Sequence, residues 1–101
     1  MFIPGRLKVG GHTYTVKMGH RFTEVGNLCG QADHQELEIR VATQTQSNNP
    51  RPQSMIDETF LHEALHCVDQ VYNNHSLSEE VIDRLSEGLY AVLTDNRLLK
   101  E

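Results

Sequence analysis

The spacing of apolar residues changes once along this chain, at the polar segment 44–53, QTQSNNPRPQ. Before this segment apolar and polar residues alternate, as in half-buried strands, and after it apolar residues recur every three or four positions, as in helices. Strands followed by helices predict an α+β domain. Because 101 residues can bury one core with little to spare, we expect residues 1–101 to form a single domain.

Two hairpins are predicted before the polar segment. In RLKV-GG-HTYTVKM two extended runs flank a glycine pair, which is a two-residue hairpin signal. In LEIRV, residues 37–41, apolar residues alternate with charged ones, and residues 29–33 are expected to pair with this strand across His34-Gln35. The sequence therefore predicts a small antiparallel sheet built from the two hairpins.

Two helices are predicted after the polar segment. The first is expected over residues 54–73, with Ser54 as its N-cap and Asp57 at the capping-box position. The second is expected over residues 76–95 or 78–95, since a serine stands at either start. Each helix has an apolar stripe that should face the core. The stripe of the first comprises Phe60, Leu61, Ala64, Leu65, Cys67, Val68, Val71 and Tyr72, and that of the second comprises Val81, Ile82, Leu85, Leu89, Val92 and Leu93.

The first predicted helix contains the motif HEALH, residues 62–66. His62 and His66 lie away from its apolar stripe and one turn apart, so both imidazoles can converge on one metal ion. Glu63 points about 100° further around the helix, where it stands beside the metal and can take a proton from an attacking water. The spacing favours a zinc hydrolase site, with Glu63 as general base. The alternative is a solvated helix face rich in His and Glu.

A catalytic zinc ion usually has three protein ligands, so a further ligand is expected from the second helix or the loop before it. Glu79 is favoured because it lies at the edge of the second apolar stripe, where a side chain can reach a neighbouring helix. Its competing interpretation is a capping box after Ser76. Glu87, 21 residues beyond His66, is the main alternative ligand. The remaining candidates are His75, Glu80 and Asp69.

Three segments, GQADHQELEIRV, ETFLHEALHCVDQVY and LSEEVIDRLSEGLYAVLTDN, resemble the small HExxH proteins carried by phages and prophages. Those proteins are similar to minimal gluzincin-type metallopeptidases of the ImmA/IrrE and SprT-like kind. The resemblance covers nearly the whole chain and implies a minimal zincin-like fold, in which a small sheet packs on the HExxH helix and the second helix donates a glutamate ligand. The position of that glutamate here is Glu79. Cys67 departs from the pattern, since a small residue such as alanine is common there.

These observations predict a zinc-dependent metallopeptidase with His62, His66 and Glu79 as ligands of Zn²⁺ and a peptide or protein as substrate. A non-catalytic zinc-stabilised binding module, such as a phage regulator that engages a host protein, is the alternative from another class. An oxyanion-stabilising residue is not evident in the sequence. Candidates for that role are His75, Tyr72 and Tyr90.

Charge and composition narrow the partners further. The net charge of −5, without a Lys/Arg cluster, argues against nucleic acid and anionic membranes. No apolar run approaches a membrane span, and the start MFIPGRLKVGG lacks the core of a signal peptide, so a cytosolic protein is expected. The resemblance to phage and prophage proteins implies that this is the cytosol of a bacterial host. Cys29 and Cys67 are expected to be reduced thiols. The histidines outside the motif and the linker, His12, His20 and His34, are expected at the surface.

Overall fold

The computed structural model of the protein describes residues 1–23 and 28–99. These residues form one four-stranded sheet and two helices, which confirms the α+β class predicted from the sequence. The strands are β1 (Arg6–Val9), β2 (His12–Met18), β3 (Gly30–Asp33) and β4 (Glu38–Val41), and the helices are α1 (Gln53–Tyr72) and α2 (Glu79–Asp95).

The strands are arranged in the order β1-β2-β4-β3, and both predicted hairpins are present. β1 pairs antiparallel with β2, and β3 pairs antiparallel with β4. The two hairpins are joined by a parallel pairing of β2 with β4, so the sheet is mixed where a wholly antiparallel one was expected. Gly10 and Gly11 make the first turn with φ of 54° and 86°, a conformation that glycine adopts without strain. The second turn is longer than predicted. It comprises residues 34–37, and Leu37 at its end also has a positive φ, of 54°.

The main core lies between the sheet and α1. Ile39 and Val41 of β4 are fully buried, as their alternation with charged residues predicted. β4 occupies a central position in the sheet, so its apolar side chains are covered by α1. The buried core cluster consists of Val9, Tyr14, Val16, Ile39, Val41, Ile56, Phe60 and Cys67.

The helix starts differ in how well they were predicted. α1 begins one residue early, at Gln53, and Pro52 occupies the N-cap position without a side-chain hydrogen bond, so the predicted Ser54 cap and capping box are wrong. Asp57 is instead buried in the helix and accepts a hydrogen bond from Nε2 of Gln53 at 2.8 Å. α2 takes the later of its two predicted starts, because Oγ of Ser78 accepts a hydrogen bond from the Val81 N–H at 3.2 Å.

The predicted core stripes of the helices are only partly right. On α1 the buried face is rotated towards Glu63, which is 7% exposed, while Val68 and Tyr72 are 42% and 69% exposed. On α2 Ile82 is the stripe residue that is fully buried. The reason is that α1 is the only helix or strand of the described chain that packs against α2, so no sheet covers the rest of the helix. Three predicted core residues of α2 are therefore exposed: Leu85, Leu89 and Val92.

In the part of the chain that the structure describes, no helix has the length and apolar character needed to cross a membrane.

Candidate metal centre

The two histidines of the motif lie on the side of α1 that faces α2. Their ring centroids are 4.9 Å apart, as expected for residues one helical turn from each other. Both side chains are 16% exposed, so each ring is largely withdrawn from water while one edge remains accessible. His62 and His66 are therefore placed to bind one ligand jointly.

Glu79, the first residue of α2, meets both histidines. Its Oε1 lies 2.8 Å from Nε2 of His62, and its Oε2 lies 2.8 Å from Nε2 of His66. Ser78 caps α2 at this point, so Glu79 stands at the first helical position and its carboxylate is free of the capping-box role that the sequence also allowed. The structure thus brings together the three residues that the sequence predicted as metal ligands.

The alternative ligands lie elsewhere. Glu80 pairs with Arg84 on α2 at 3.4 Å. Glu87 is exposed about two turns beyond Glu79. Asp69 accepts hydrogen bonds within the turn between the helices, and His75 is 3.8 Å from its carboxylate.

The polar contacts around His62 involve both of its ring nitrogens. Oγ of Ser86 donates to the carbonyl oxygen of Asp83 at 3.0 Å, so the same Oγ acts as an acceptor towards Nδ1 of His62, 3.4 Å away. The Asp83 carboxylate, also an acceptor, lies 3.5 Å from the same Nδ1. Both ring nitrogens of His62 therefore face acceptor groups, since Oε1 of Glu79 lies 2.8 Å from Nε2.

A neutral imidazole carries one ring proton. Nε2 of His62 therefore meets Oε1 of Glu79 either through that proton or through a metal ion, with the proton then on Nδ1. An Nδ1–H held by a carboxylate and a hydroxyl is also the arrangement that orients metal-binding histidines. The donor set of two imidazoles and one carboxylate thus fits Zn²⁺.

The side chain of Glu63 projects from α1 towards the edge strand β3. A Cβ added to Gly30 would lie 2.8 Å from Oε2 of Glu63 and 2.6 Å from Cγ2 of Thr59, so the glycine allows the helix to approach the strand closely. Burial raises the pKa of Glu63 to about 7; the nearby His62 opposes this shift, and the Glu79 carboxylate adds to it. A carboxyl group with a pKa near neutrality is suited to both accepting and releasing a proton.

Glu63 is also near enough to the histidines to count as a fourth polar group of the centre. One ligand-capable atom from each of His62, Glu63 and His66 lies within 4.8 Å of the others. Glu79 is the better placed of the two glutamates to complete a ligand set, since its two oxygens face the two Nε2 atoms directly.

A cleft of about 360 Å³ opens beside this centre. Gly30 of β3 forms one wall, and His62, Glu63 and Glu79 form another. Sequence reasoning missed Arg51, a third part of the lining. This arginine is 9% exposed, and its guanidinium donates to the Ala42 carbonyl oxygen and, at 2.8 Å, to Oγ1 of Thr59. No sequence signal marks it, because it stands in a polar segment between two prolines.

Asp83 and Ser86 were also missed, although a signal for them exists. They follow Glu79 by four and seven residues, which places all three on one side of α2. Had that spacing been applied to Glu79, as it was to the histidines, both residues would have been predicted near the site.

His34 was expected at the surface but is half-buried beside the core. Its Nδ1 lies 3.0 Å from the hydroxyl oxygen of the buried Tyr14. Burial lowers the pKa of His34, and the neighbouring His75 and His66 lower it further. His34 is therefore a neutral ring, and its hydrogen bond with Tyr14 joins β2 to the turn before β4.

The two cysteines form no disulfide in the described structure, and they differ in environment. Cys29 is exposed in the cleft lining, whereas Cys67 is fully buried on the core side of α1. Burial raises the pKa of the Cys67 thiol to about 12, so it remains protonated and packs as a small apolar residue.

Comparison of the chain with protein-family models, with curated proteins and with solved structures found no match. The interpretation of the centre therefore rests on the geometry and chemistry of its own residues.

Proposed function

We propose that this protein is a zinc-dependent metallopeptidase of the bacterial cytosol that hydrolyses a peptide bond in a peptide or protein. The observation that carries the proposal is the meeting of His62 and His66 with the two carboxylate oxygens of Glu79, each at 2.8 Å. The resemblance to small phage and prophage HExxH proteins adds to it and suggests the substrate class.

The residues of the centre have separate tasks in this proposal. His62, His66 and Glu79 would hold the metal ion, and Asp83 would keep the ring of His62 in the tautomer that leaves Nε2 unprotonated. When bound there, Zn²⁺ supplies Lewis acidity, which brings the pKa of water down to about 7. Glu63 takes the proton from the attacking water.

The same Glu63 then delivers that proton to the leaving amine, so the carboxyl group returns to its starting state. Its burial against Gly30 supports this double role, because a pKa of about 7 makes both protonation states accessible. The cleft beside Gly30 provides space for a bound peptide next to Glu63.

The test is the substitution Glu63→Gln, which keeps the size of the side chain and removes its basicity. We expect the variant to bind one zinc ion, as the parent does, and to lose peptide hydrolysis by about 10²- to 10⁴-fold, the usual contribution of a general base. Zinc is measured by elemental analysis, and hydrolysis by mass spectrometry of a diverse peptide mixture.

The matched control is Glu87→Gln, an exposed glutamate about two turns from the ligand on the same helix, which should change neither zinc content nor activity. A Glu63→Gln variant as active as the parent would contradict the base role. Parent protein that binds zinc but cleaves none of the peptides would favour the zinc-stabilised binding module, which has no need of Glu63. Absence of stoichiometric zinc after supplementation would contradict both.

A further inference from the structure

One side of α2, next to the face that α1 covers, is apolar and exposed. Leu85, Leu89 and Val92 are 51%, 42% and 52% exposed, although an amphipathic helix ordinarily buries such residues. At 100° per residue the three side chains lie within an arc of about 60°, so they form one stripe, here called the outer stripe. A contiguous apolar patch of this kind on a small domain marks an interaction surface.

A glycine lies beside the outer stripe. Gly88 lies between Leu85 and Leu89, and a Cβ added there would meet no atom within 4 Å. Because this position has neither a side chain nor a covering element, another helix can approach the backbone of α2 closely at its centre. Gly88 thus provides a contact point near the middle of the stripe.

The charges along one flank of the stripe are complementary under a two-fold rotation. Arg84 and Asp95 are eleven residues apart, which places them within about 20° of each other on the same side of α2. The midpoint between Leu85 and Val92 falls between Gly88 and Leu89, and the midpoint between Arg84 and Asp95 falls one residue later. Apolar contacts and opposite charges are therefore centred on nearly the same point.

We propose that α2 forms a homodimer by packing antiparallel on α2 of a second copy, with the two-fold axis near Gly88 and Leu89. In this arrangement Leu85 packs on the partner's Val92, and Arg84 pairs with the partner's Asp95. A two-fold interface requires a surface that is complementary to itself, and the outer stripe with its flank meets that condition. Arg84 has an exposed pairing with Glu80 at 3.4 Å in its own chain, which is readily exchanged for the partner carboxylate.

The dimer would also cover the part of α2 that its own chain leaves exposed. Among the helices and strands of the described chain α2 packs on α1 alone, so a second copy would supply packing that the sheet does not. This inference uses neither the zinc ligands nor the proposed hydrolysis, and its test succeeds or fails independently of them.

The test is sedimentation velocity of the full chain, as purified, over a range of protein concentrations. We expect the parent to show a concentration-dependent dimer and Leu85→Asp to remain monomeric. The fold should tolerate this change because the side chain is half exposed in one copy, and far-UV circular dichroism checks that it does. The control is Met18→Asp, which places the same charge at a similarly exposed site on β2 and should leave the dimer intact.

Charge reversal identifies the partner as a second copy in this orientation. Arg84→Glu and Asp95→Arg should each weaken dimerisation about tenfold, since each turns two attractions into two repulsions. The double variant should restore the parent affinity, even though it loses the pairing of Arg84 with Glu80. A parent that is monomeric at every concentration would overturn the proposal, and so would a double variant weaker than both single ones.

Discussion

The two helices have similar apolar patterns in the sequence but differ in how much of that pattern is buried in the structure. α1 lies across the sheet and buries Phe60 and Cys67 in the core. α2 lies on the outside of α1, where Ile82 is fully buried and Leu85 remains half exposed. An apolar stripe therefore predicts which face of a helix tends to be buried, but the element that buries it depends on where the helix docks.

The same contrast organises the candidate metal centre. α1 provides both histidines and the buried Glu63 from a helix that is fixed by the core. α2 provides Glu79 from a helix that is held by α1 alone. The centre thus joins a helix that packs on the sheet to a helix that packs on α1, and a bound cation between Glu79 and the histidines would connect them.

The contrast is tested most strongly by truncating one buried isoleucine in each half. Ile39 and Ile82 are both fully buried, in β4 and α2. We expect Ile39→Ala to lower the free energy of unfolding by about 4 kcal/mol, because the sheet core cannot close around the cavity. Ile82→Ala should cost about 2 kcal/mol, since α2 can shift towards α1 and fill part of the gap.

Urea unfolding at one fixed, low protein concentration measures both values. Met18→Ala, at a 43% exposed site, serves as control and should change the stability by less than about 0.5 kcal/mol. Equal losses for the two isoleucines would show that α2 is as firmly integrated as the sheet, which would remove the contrast.

The fold was predictable wherever a local pattern decides the structure. The glycine pair at Gly10 specified the first hairpin, and the alternation around Ile39 specified a buried strand, because turn conformation and strand period are properties of neighbouring residues. The parallel pairing of β2 with β4 was not predictable in this way. It depends on how two separate hairpins meet, and no local spacing encodes that contact.

The site was predictable for a similar reason. His62 and His66 are one turn apart on one helix, so their convergence follows from helix geometry alone. The position of Glu79 depends on how α2 docks, and the sequence indicated this only through the place of Glu79 at the edge of the apolar stripe of α2. Arg51 was beyond prediction, because its burial results from the path of a Pro-flanked segment over Thr59.

The turn between the helices provides the second test of the contrast. Oδ1 of the buried Asp69 accepts hydrogen bonds from Nδ2 of Asn73 at 2.9 Å and from the Leu77 N–H at 3.2 Å. Burial alone would raise the pKa of Asp69, but these hydrogen bonds outweigh it and lower the pKa. Asp69→Asn should therefore lower Tm at pH 7 by about 5–10 °C, as expected for weakening charge-assisted bonds in a domain of this size.

The pH dependence gives this prediction its sign. Because the folded-state pKa of Asp69 lies below the ordinary value of 3.8, its ionised form stabilises the fold above that pH and the contribution is lost as pH falls further. The Tm difference between parent and Asp69→Asn should hold from pH 7 to about pH 5 and shrink below about pH 4. Gln70→Ala, at the exposed neighbouring position, should change Tm little at either pH; a constant difference down to pH 3 would rule out the charge.

The smallest expected effect is the most specific to the metal centre. In metal-free protein the amides of α2 should exchange hydrogen faster than those of α1, since α2 has less packing to break. Zinc should slow exchange selectively in α2, by roughly tenfold if metal binding contributes about 1.4 kcal/mol to holding the helix in place.

The measurement uses the Leu85→Asp background, so that dimerisation does not contribute to protection. Glu79→Gln should abolish the zinc effect while Glu87→Gln preserves it. If Glu87→Gln abolishes the slowing of exchange by zinc and Glu79→Gln does not, the ligand on α2 is Glu87. The metal ion then attaches α2 to α1 by the middle of α2 and not by its first turn.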